Sequence, residues 1–351
     1  MRRRDFLRSS ALAAAALGTG RAIKPAFAAP AVVARTKELI VASPWPQSAS
    51  GYSDLAFGFT RRLEQACGGR IKCQFIMRPG GSIDVLNGGG ADLHIGLEHG
   101  NVPHHAAFSY FAGLPGALGL QAEEFSEWLA SGDGQTLWDE CSAPFGIKSL
   151  MIAHTATGGG LWSRSELPAI SGKRIASQGL ARDVLKGLGA ATADAGLNET
   201  SGALASGALE AFELAHIIEA LPSGSFGTAK YSVMPGITHR GSTLAVSFGH
   251  ELWQGFDYQT QAQIIGVAAH YNRAMTSELR ENDSIIRRLL NEMRHVEFMP
   301  AITALETEIE RVAEAVVAEI AARDALSRRI NAAYMTKYSG LKSVRHPAGI
   351  A

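Results

Sequence analysis

The sequence predicts an α/β protein built as two lobes, and three features predict it. Strand-like and helix-like stretches alternate over the first 250 residues, which a helical bundle would not show. The opening runs strand, loop, helix, strand, and the stretch from 154 to 241 repeats that alternation as a second compact unit. A last run, Ala301 to Ser339, holds neither Gly nor Pro and reads as one long helix.

Taken in order, Leu39 to Ser43 is a strand with Leu39 and Val41 on one face, running into the loop 43–51. A helix follows on Leu55, Phe59 and Leu63, closed by Gly68 as a left-handed cap. Ile71 to Ile76 returns as a strand. Ligands collect at the carboxyl ends of such strands, so Trp45 is either a wall of a cleft or an aromatic plug at the lobe's edge. Gly88 to Gly90 read as a turn before a strand at Asp92 to Gly96, a backbone nest for an anion being the alternative. Glu123 to Leu129 and Gln135 to Cys141 are short helices, and Lys148 to Ala153 is a strand. The loop 155–160 crosses to the second lobe.

There, Leu161 to Arg164 and Arg174 to Ala176 are strands, followed by a helix on Leu180, Val184, Leu185 and Leu188 that ends at Gly189. Glu210 to Leu214 and Tyr231 to Met234 are strands, with a helix or turn between them at Ala215 to Leu221. Ser242 to Phe248 alternates Leu244, Val246 and Phe248 on one face, as a strand returning between lobes should. Tyr258 to Met293 is helical, and His295 to Met299 is a short strand. In the closing run Ile302, Leu305, Ile309, Val312, Val316, Ile320, Leu326 and Ile330 recur by threes and fours. At 1.5 Å per residue that helix reaches about 58 Å, longer than one lobe. It therefore lies across both lobes or pairs with a second subunit as a homodimer.

Composition permits this fold: of 351 residues 46% are hydrophobic and 19% charged. The net charge is zero, with no basic stripe and no RNA- or zinc-type motif, which excludes nucleic acid as a partner. Arg3-Arg4-Asp5-Phe6-Leu7-Arg8 is a twin-arginine pattern, Ala11 to Leu17 is too short to span a bilayer, and Ala26-Phe27-Ala28 offers a cleavage site. The expectation is a signal segment over 1–28 and export to the periplasm. The expected organisation is 37–157 plus 249–299 as the first lobe, 158–248 as the second, and 300–340 as the closing helix. Cys67 and Cys73 flank a Gly-Gly turn, which leaves a local bridge open; Cys141 reads as a buried small hydrophobe.

His94, His99, His104 and His105 fall within twelve residues. They lack a His-Glu-x-x-His helix, and Pro103 breaks any shared helical face, so no metal or cofactor is assigned to them. No Gly-x-Ser-x-Gly elbow, Cys-x-x-Cys or P-loop occurs, and no catalytic residue is assigned.

The second-lobe order carries a resemblance. Trp162 and Arg164 ahead of Gly172-Lys173, the run 184–190, the step 203–213 and the run 229–236 resemble the periplasmic solute-binding proteins of tripartite ATP-independent (TRAP) transporters, closest to the branch that binds 2-oxo and other small organic acids. The resemblance implies capture of a small solute in an interlobe cleft and its delivery to membrane permease subunits, without chemistry on the guest. It implies ligand contacts near His99, Trp162, Arg164 and Glu213. It also exposes departures. Relatives carry a carboxylate-binding arginine where this chain has Ala176; Arg174 faces the same way but lies two residues earlier, roughly 6.6 Å away. Gly158, Leu214 and Ile237-Thr238-His239 replace other family residues. The candidate contacts are therefore Trp45, His99, Trp162, Arg164, Arg174, Glu213, His216, Glu219 and His239, a set better suited to a polyol, amine or zwitterion than to a bare carboxylate.

Overall fold

In this computed structural model residues 36–46, 51–193, 197–234 and 241–345 are described; the expected export signal and His239 lie outside them. The chain opens with β1 (Lys37–Ser43), α1 (Tyr52–Ala66), β2 (Ile71–Met77), α2 (Ser82–Asn87), β3 (Leu93–Leu97), α3 (Ser109–Ala112), α4 (Ala122–Ser131), α5 (Gly134–Ser142) and β4 (Ile147–His154). It continues with β5 (Leu161–Ser163), β6 (Arg174–Ala176), α6 (Gly179–Gly187), β7 (Ala191–Ala193), α7 (Leu197–Ser206), β8 (Ala211–Glu213), α8 (Ala220–Ser223) and β9 (Tyr231–Val233). It closes with β10 (Thr243–Gly249), α9 (His250–Gln254), α10 (Tyr258–Arg294), β11 (Glu297–Met299), α11 (Thr303–Arg323) and α12 (Ala325–Arg345).

Two sheets result. The first has the order β2-β1-β3-β10-β4, parallel across β2, β1 and β3, with β10 antiparallel to both neighbours. The second has the order β11-β9-β5-β8-β6-β7. Helix α1 buries Leu55, Phe59 and Leu63 against the first sheet, as their spacing predicts, and Gly68 at φ 59° turns the chain after it. Cys67 and Cys73 are free thiols, so the turn between them needs no covalent staple.

Two expectations need correcting. The stretch 249–299 does not belong wholly to the first lobe: Glu297–Met299 pairs in parallel with Tyr231–Val233 in the second sheet. The reason is length. Helix α10 has 37 residues, about 55 Å at 1.5 Å each, enough to start beside β4 and deliver the chain to the other lobe.

The closing run is not one helix. Asp324 takes an extended conformation (φ −155°, ψ 176°) between α11 and α12. Its carboxylate accepts from the Ser327 amide (2.8 Å) and hydroxyl (2.7 Å), the geometry of a cap on a new helix. The two helices pack onto the subunit's own core, which covers most of their apolar stripe. Ile309, Val312, Ile320 and Ile330 are buried in the core that also holds Phe111, Trp138 and Leu185. Gly187 of α6 lets Val312 approach, since a Cβ there would lie 2.4 Å from Val312 Cγ1. Tyr334 of α12 donates to the Leu118 carbonyl and accepts from the Leu120 amide, tying the helix to the first lobe. The apolar stripe that pointed to a homodimer is thus used within the subunit.

Candidate functional site

Two connections cross between the sheets side by side. The Thr155 amide donates to the Ser242 carbonyl (3.0 Å), and the Ser242 amide donates to Thr155 Oγ1 (2.8 Å). Ala156 sits at φ 63°, a strained value for a residue with a side chain. Helix α10 braces this crossing: Thr157 Oγ1 donates to Asp283 Oδ1 (3.3 Å), while Arg287 Nε holds Asp283 Oδ2 (2.6 Å).

A cavity of about 60 Å³ lies beside the crossing, between the lobes. By a like measure one water needs about 10–15 Å³, so the space suits a guest of only a few non-hydrogen atoms. Its first-lobe wall includes His99, Ser109, Ala112 and Gly113, and its second-lobe wall includes Ala176, Ser177, Thr200, Glu213 and Glu219. Both walls are tight. A Cβ on Gly113 would lie 2.2 Å from the Gly241 carbonyl oxygen, and one on Gly179 would lie 3.0 Å from His99 Cβ. The lobes therefore meet directly where His99 faces Gly179, whose φ of +57° already favours glycine. Outside this contact a groove of about 760 Å³ continues, sharing His99, Ser109, Gln178, Gly179 and Leu180 with the inner cavity and adding Arg182, Lys186 and Arg323.

The nominated residues separate into three groups. His99, Glu213 and Glu219 line the cavity. Glu213 ends β8 and accepts from Ser177 Oγ at 2.6 Å. Glu219 accepts from the amides of Ala215 (2.8 Å) and His216 (3.3 Å), which fixes the loop after β8.

A second group stands behind the wall. His216 is fully buried; its Nδ1 accepts from the Ile218 amide, so Nε2 carries the proton, and Nε2 lies 3.9 Å from Asp283 Oδ1. Burial pushes this imidazole down to about 4, against the pull of Asp283 and with the push of Arg287. Trp45 lies with its ring 4.8 Å from that of Tyr52, whose phenol is pushed well up by burial and then by the charge of Glu219.

The third group lies elsewhere. Trp162 is a core residue, wholly buried, its Nε1 donating to the Gly159 carbonyl (2.7 Å). The exposed Arg164 donates to the Ala205 carbonyl (2.8 Å), and Arg174 is also exposed, its guanidinium 3.4 Å from the Ala208 carbonyl. Neither arginine lines the cavity. Ala176, where the resemblance expects a cation, does line it. His239 lies outside the described residues.

The four clustered histidines also part company. His94 is buried beside Ser82 Oγ (3.0 Å), His104 pairs with Asp84 (2.9 Å), His105 faces Asp324 (3.4 Å), and only His99 reaches the cavity. Ser109, Ser177, Thr200 and Ser242 escaped the sequence reading. A signal existed for Ser177, because it follows the carboxyl end of β6. Ser109 had none, since only the folded chain brings α3 opposite β8.

Residues 171–324 match the family described as bacterial extracellular solute-binding protein, family 7. No curated protein matches the chain. Among solved structures it is similar to a TRAP transporter solute-binding protein from Bordetella bronchiseptica with copurified calcium and picolinate (16% identity, 90% of this chain, 95% of the other, TM-score 0.82). It is also similar to TRAP periplasmic solute-binding proteins from Pseudoalteromonas atlantica with sodium and pyruvate (18%, 90% and 97%, TM-score 0.81) and from Colwellia psychrerythraea with calcium and pyruvate (17%, 90% and 98%, TM-score 0.80). At these identities the likeness is one of fold.

Proposed function

We propose, for a chain that has the two-lobe TRAP solute-binding fold and matches family 7 over 171–324, that it is the periplasmic binding subunit of a TRAP transporter. It captures a small polar metabolite, an organic acid or related solute, between its lobes and presents it to membrane permease subunits. The observation that carries this reading is the cavity of about 60 Å³ walled from both lobes beside a paired crossover. A guest touching both walls stabilises the closed arrangement by its differential affinity for it. The role is receptor rather than enzyme, and no covalent step is proposed. The twin-arginine pattern at Arg3-Arg4 supports export to the periplasm.

The wall chemistry bears on the guest. Glu213 and Glu219 supply carboxylate oxygens, and Thr200, Ser177 and Ser242 supply hydroxyls; among the described lining residues there is no Lys or Arg. Such an oxygen set suits hard cations such as calcium or sodium. The relatives named above hold an acid together with one of these, so an acid guest with a cation near Glu213 is one form of the reading. A zwitterion carrying its own positive charge is the other.

A thermal-shift screen of pyruvate, picolinate, polyols and amines, run with calcium, with sodium and with chelator, separates them. An acid response lost on chelation supports the first form, and an amine or zwitterion response indifferent to chelator supports the second. No response to any class would contradict the binding-subunit reading. The apolar stripe that suggests a homodimer is largely covered within the subunit; a dimer seen by sedimentation at micromolar concentration would form through a different surface.

A further inference from the structure

The first lobe's share of the cavity is sparse in polar side chains. Of His99, Ser109, Ala112 and Gly113, only His99 and Ser109 carry one. Ser109 opens α3 and is 1% exposed, and its Oγ meets no donor or acceptor of the protein among the described residues. It lines both the inner cavity and the outer groove, so it stands in the thin wall between them, beside the point where His99 meets Gly179. Leaving a buried hydroxyl without a partner opposes folding, whereas an alanine of the same shape would not. The second-lobe carboxylate opposite is by contrast already held, Glu213 accepting from Ser177 Oγ.

We infer that Ser109 Oγ is a first-lobe hydrogen-bonding group for the guest, engaging an acceptor oxygen of it when the cleft is filled. This rests on the reading of the cavity as the guest site. The bond exists only with both lobes around the guest, so Ser109 acts on the closed, loaded state and not on the empty one. The guest it selects presents an oxygen acceptor, such as a carboxylate or keto oxygen, toward the first lobe.

The test compares three proteins: the wild type, Ser109→Ala, and Ser142→Ala as control. Ser142 is likewise fully buried with an unpartnered Oγ, but it lies at the end of α5 and does not line the cavity. Calorimetry with pyruvate and with picolinate, each with calcium, gives affinity, and melting of the empty proteins gives stability. Both variants are expected to melt at or above the wild-type temperature. Only Ser109→Ala is expected to lose affinity, by about 10-fold, the worth of one hydrogen bond. Binding by Ser109→Ala within twofold of wild type would overturn the inference, as would a melting temperature several degrees lower, which would mean the hydroxyl serves the fold. If the wild type binds neither acid, the reading of the cleft as an acid site falls and this inference falls with it. If the wild type binds and Ser109→Ala binds equally, only the inference falls.

Discussion

His216 Nε2 stands 3.9 Å from Asp283 Oδ1, and both groups are buried where the second lobe meets α10. The same carboxylate takes a bond from Thr157 of the crossover and another from Arg287. The turn after β8 that carries Glu219 to the cavity is thus backed by the group that braces the crossing. Burial holds His216 and His94 down to about 4. Unfolded, each imidazole takes up its proton near 6.5. Between those values the unfolded chain binds more protons, so stability is full above pH 6.5 and falls as pH drops toward 4. The loss approaches about 3 kcal/mol for each ring. Melting temperatures of His94→Gln and wild type, compared from pH 7 to pH 4, check this: the variant should close on the wild type or overtake it as the medium acidifies, and a constant difference would contradict it.

Glu98 titrates in the opposite sense. Its carboxyl is buried, accepts from Trp138 Nε1 (3.0 Å), and is raised to about 8 by burial, against hydrogen bonds from Asn101 and Trp138. A carboxyl raised on folding contributes stability that is present at low pH and is lost as pH rises through 8. Glu98→Gln keeps an acceptor for Trp138 and removes the charge. Its melting temperature relative to wild type should therefore climb between pH 5 and pH 8.5, and an advantage that shrinks with pH would be the wrong sign.

The cavity wall and the exposed arginines should separate cleanly. Glu213→Gln is expected to weaken guest binding by 10-fold or more, since it removes a charged oxygen from the wall. Arg174→Ala should change affinity less than twofold and stability by less than about 0.5 kcal/mol, because its guanidinium lies on the surface near Ala208. Calorimetry on the pair settles whether Arg174 stands in for the missing cation at Ala176.

Gly179→Ala tests the contact between lobes. The added Cβ meets His99 Cβ at 3.0 Å, and the residue is held at φ +57°, a conformation that costs a non-glycine residue roughly 1 kcal/mol. Affinity should fall while the melting temperature of the empty protein drops only a few degrees. Unchanged affinity would show that the two lobes do not close through this point.

Tyr334→Phe removes one hydroxyl that serves both the Leu118 carbonyl and the Leu120 amide in a buried site. A loss of about 1–3 kcal/mol is expected on chemical unfolding. A neutral result would mean that α12 is held by its apolar face alone.

The parts of this fold written in local pattern were legible. The spacing of Leu55, Phe59 and Leu63 announced α1, and the alternation of Leu244, Val246 and Phe248 announced β10. The break at Asp324 was not, because an aspartate inside a Gly- and Pro-free run reads as a helical residue until Ser327 is seen bonded to its carboxylate. Helix α2 was hidden by the glycines around it, being only six residues long. Of the candidates, Glu213, Glu219 and His99 line the cavity, Glu213 at the end of β8 and Glu219 in the turn that follows it. Trp162 and Arg164 were drawn in by the resemblance, yet one is core and the other surface. Ser109 and Thr200 reach the cavity only through long-range packing, which no spacing rule expresses.

The central claim is that the interlobe cavity holds a small guest and releases it unchanged. The most direct measurement is a crystal structure of the protein purified from its own host or soaked with the acid or amine that raises its melting temperature. The account predicts an intact guest between Ser109 and Glu213 with the lobes closed on it. A guest bound elsewhere, or one recovered chemically altered, would contradict it.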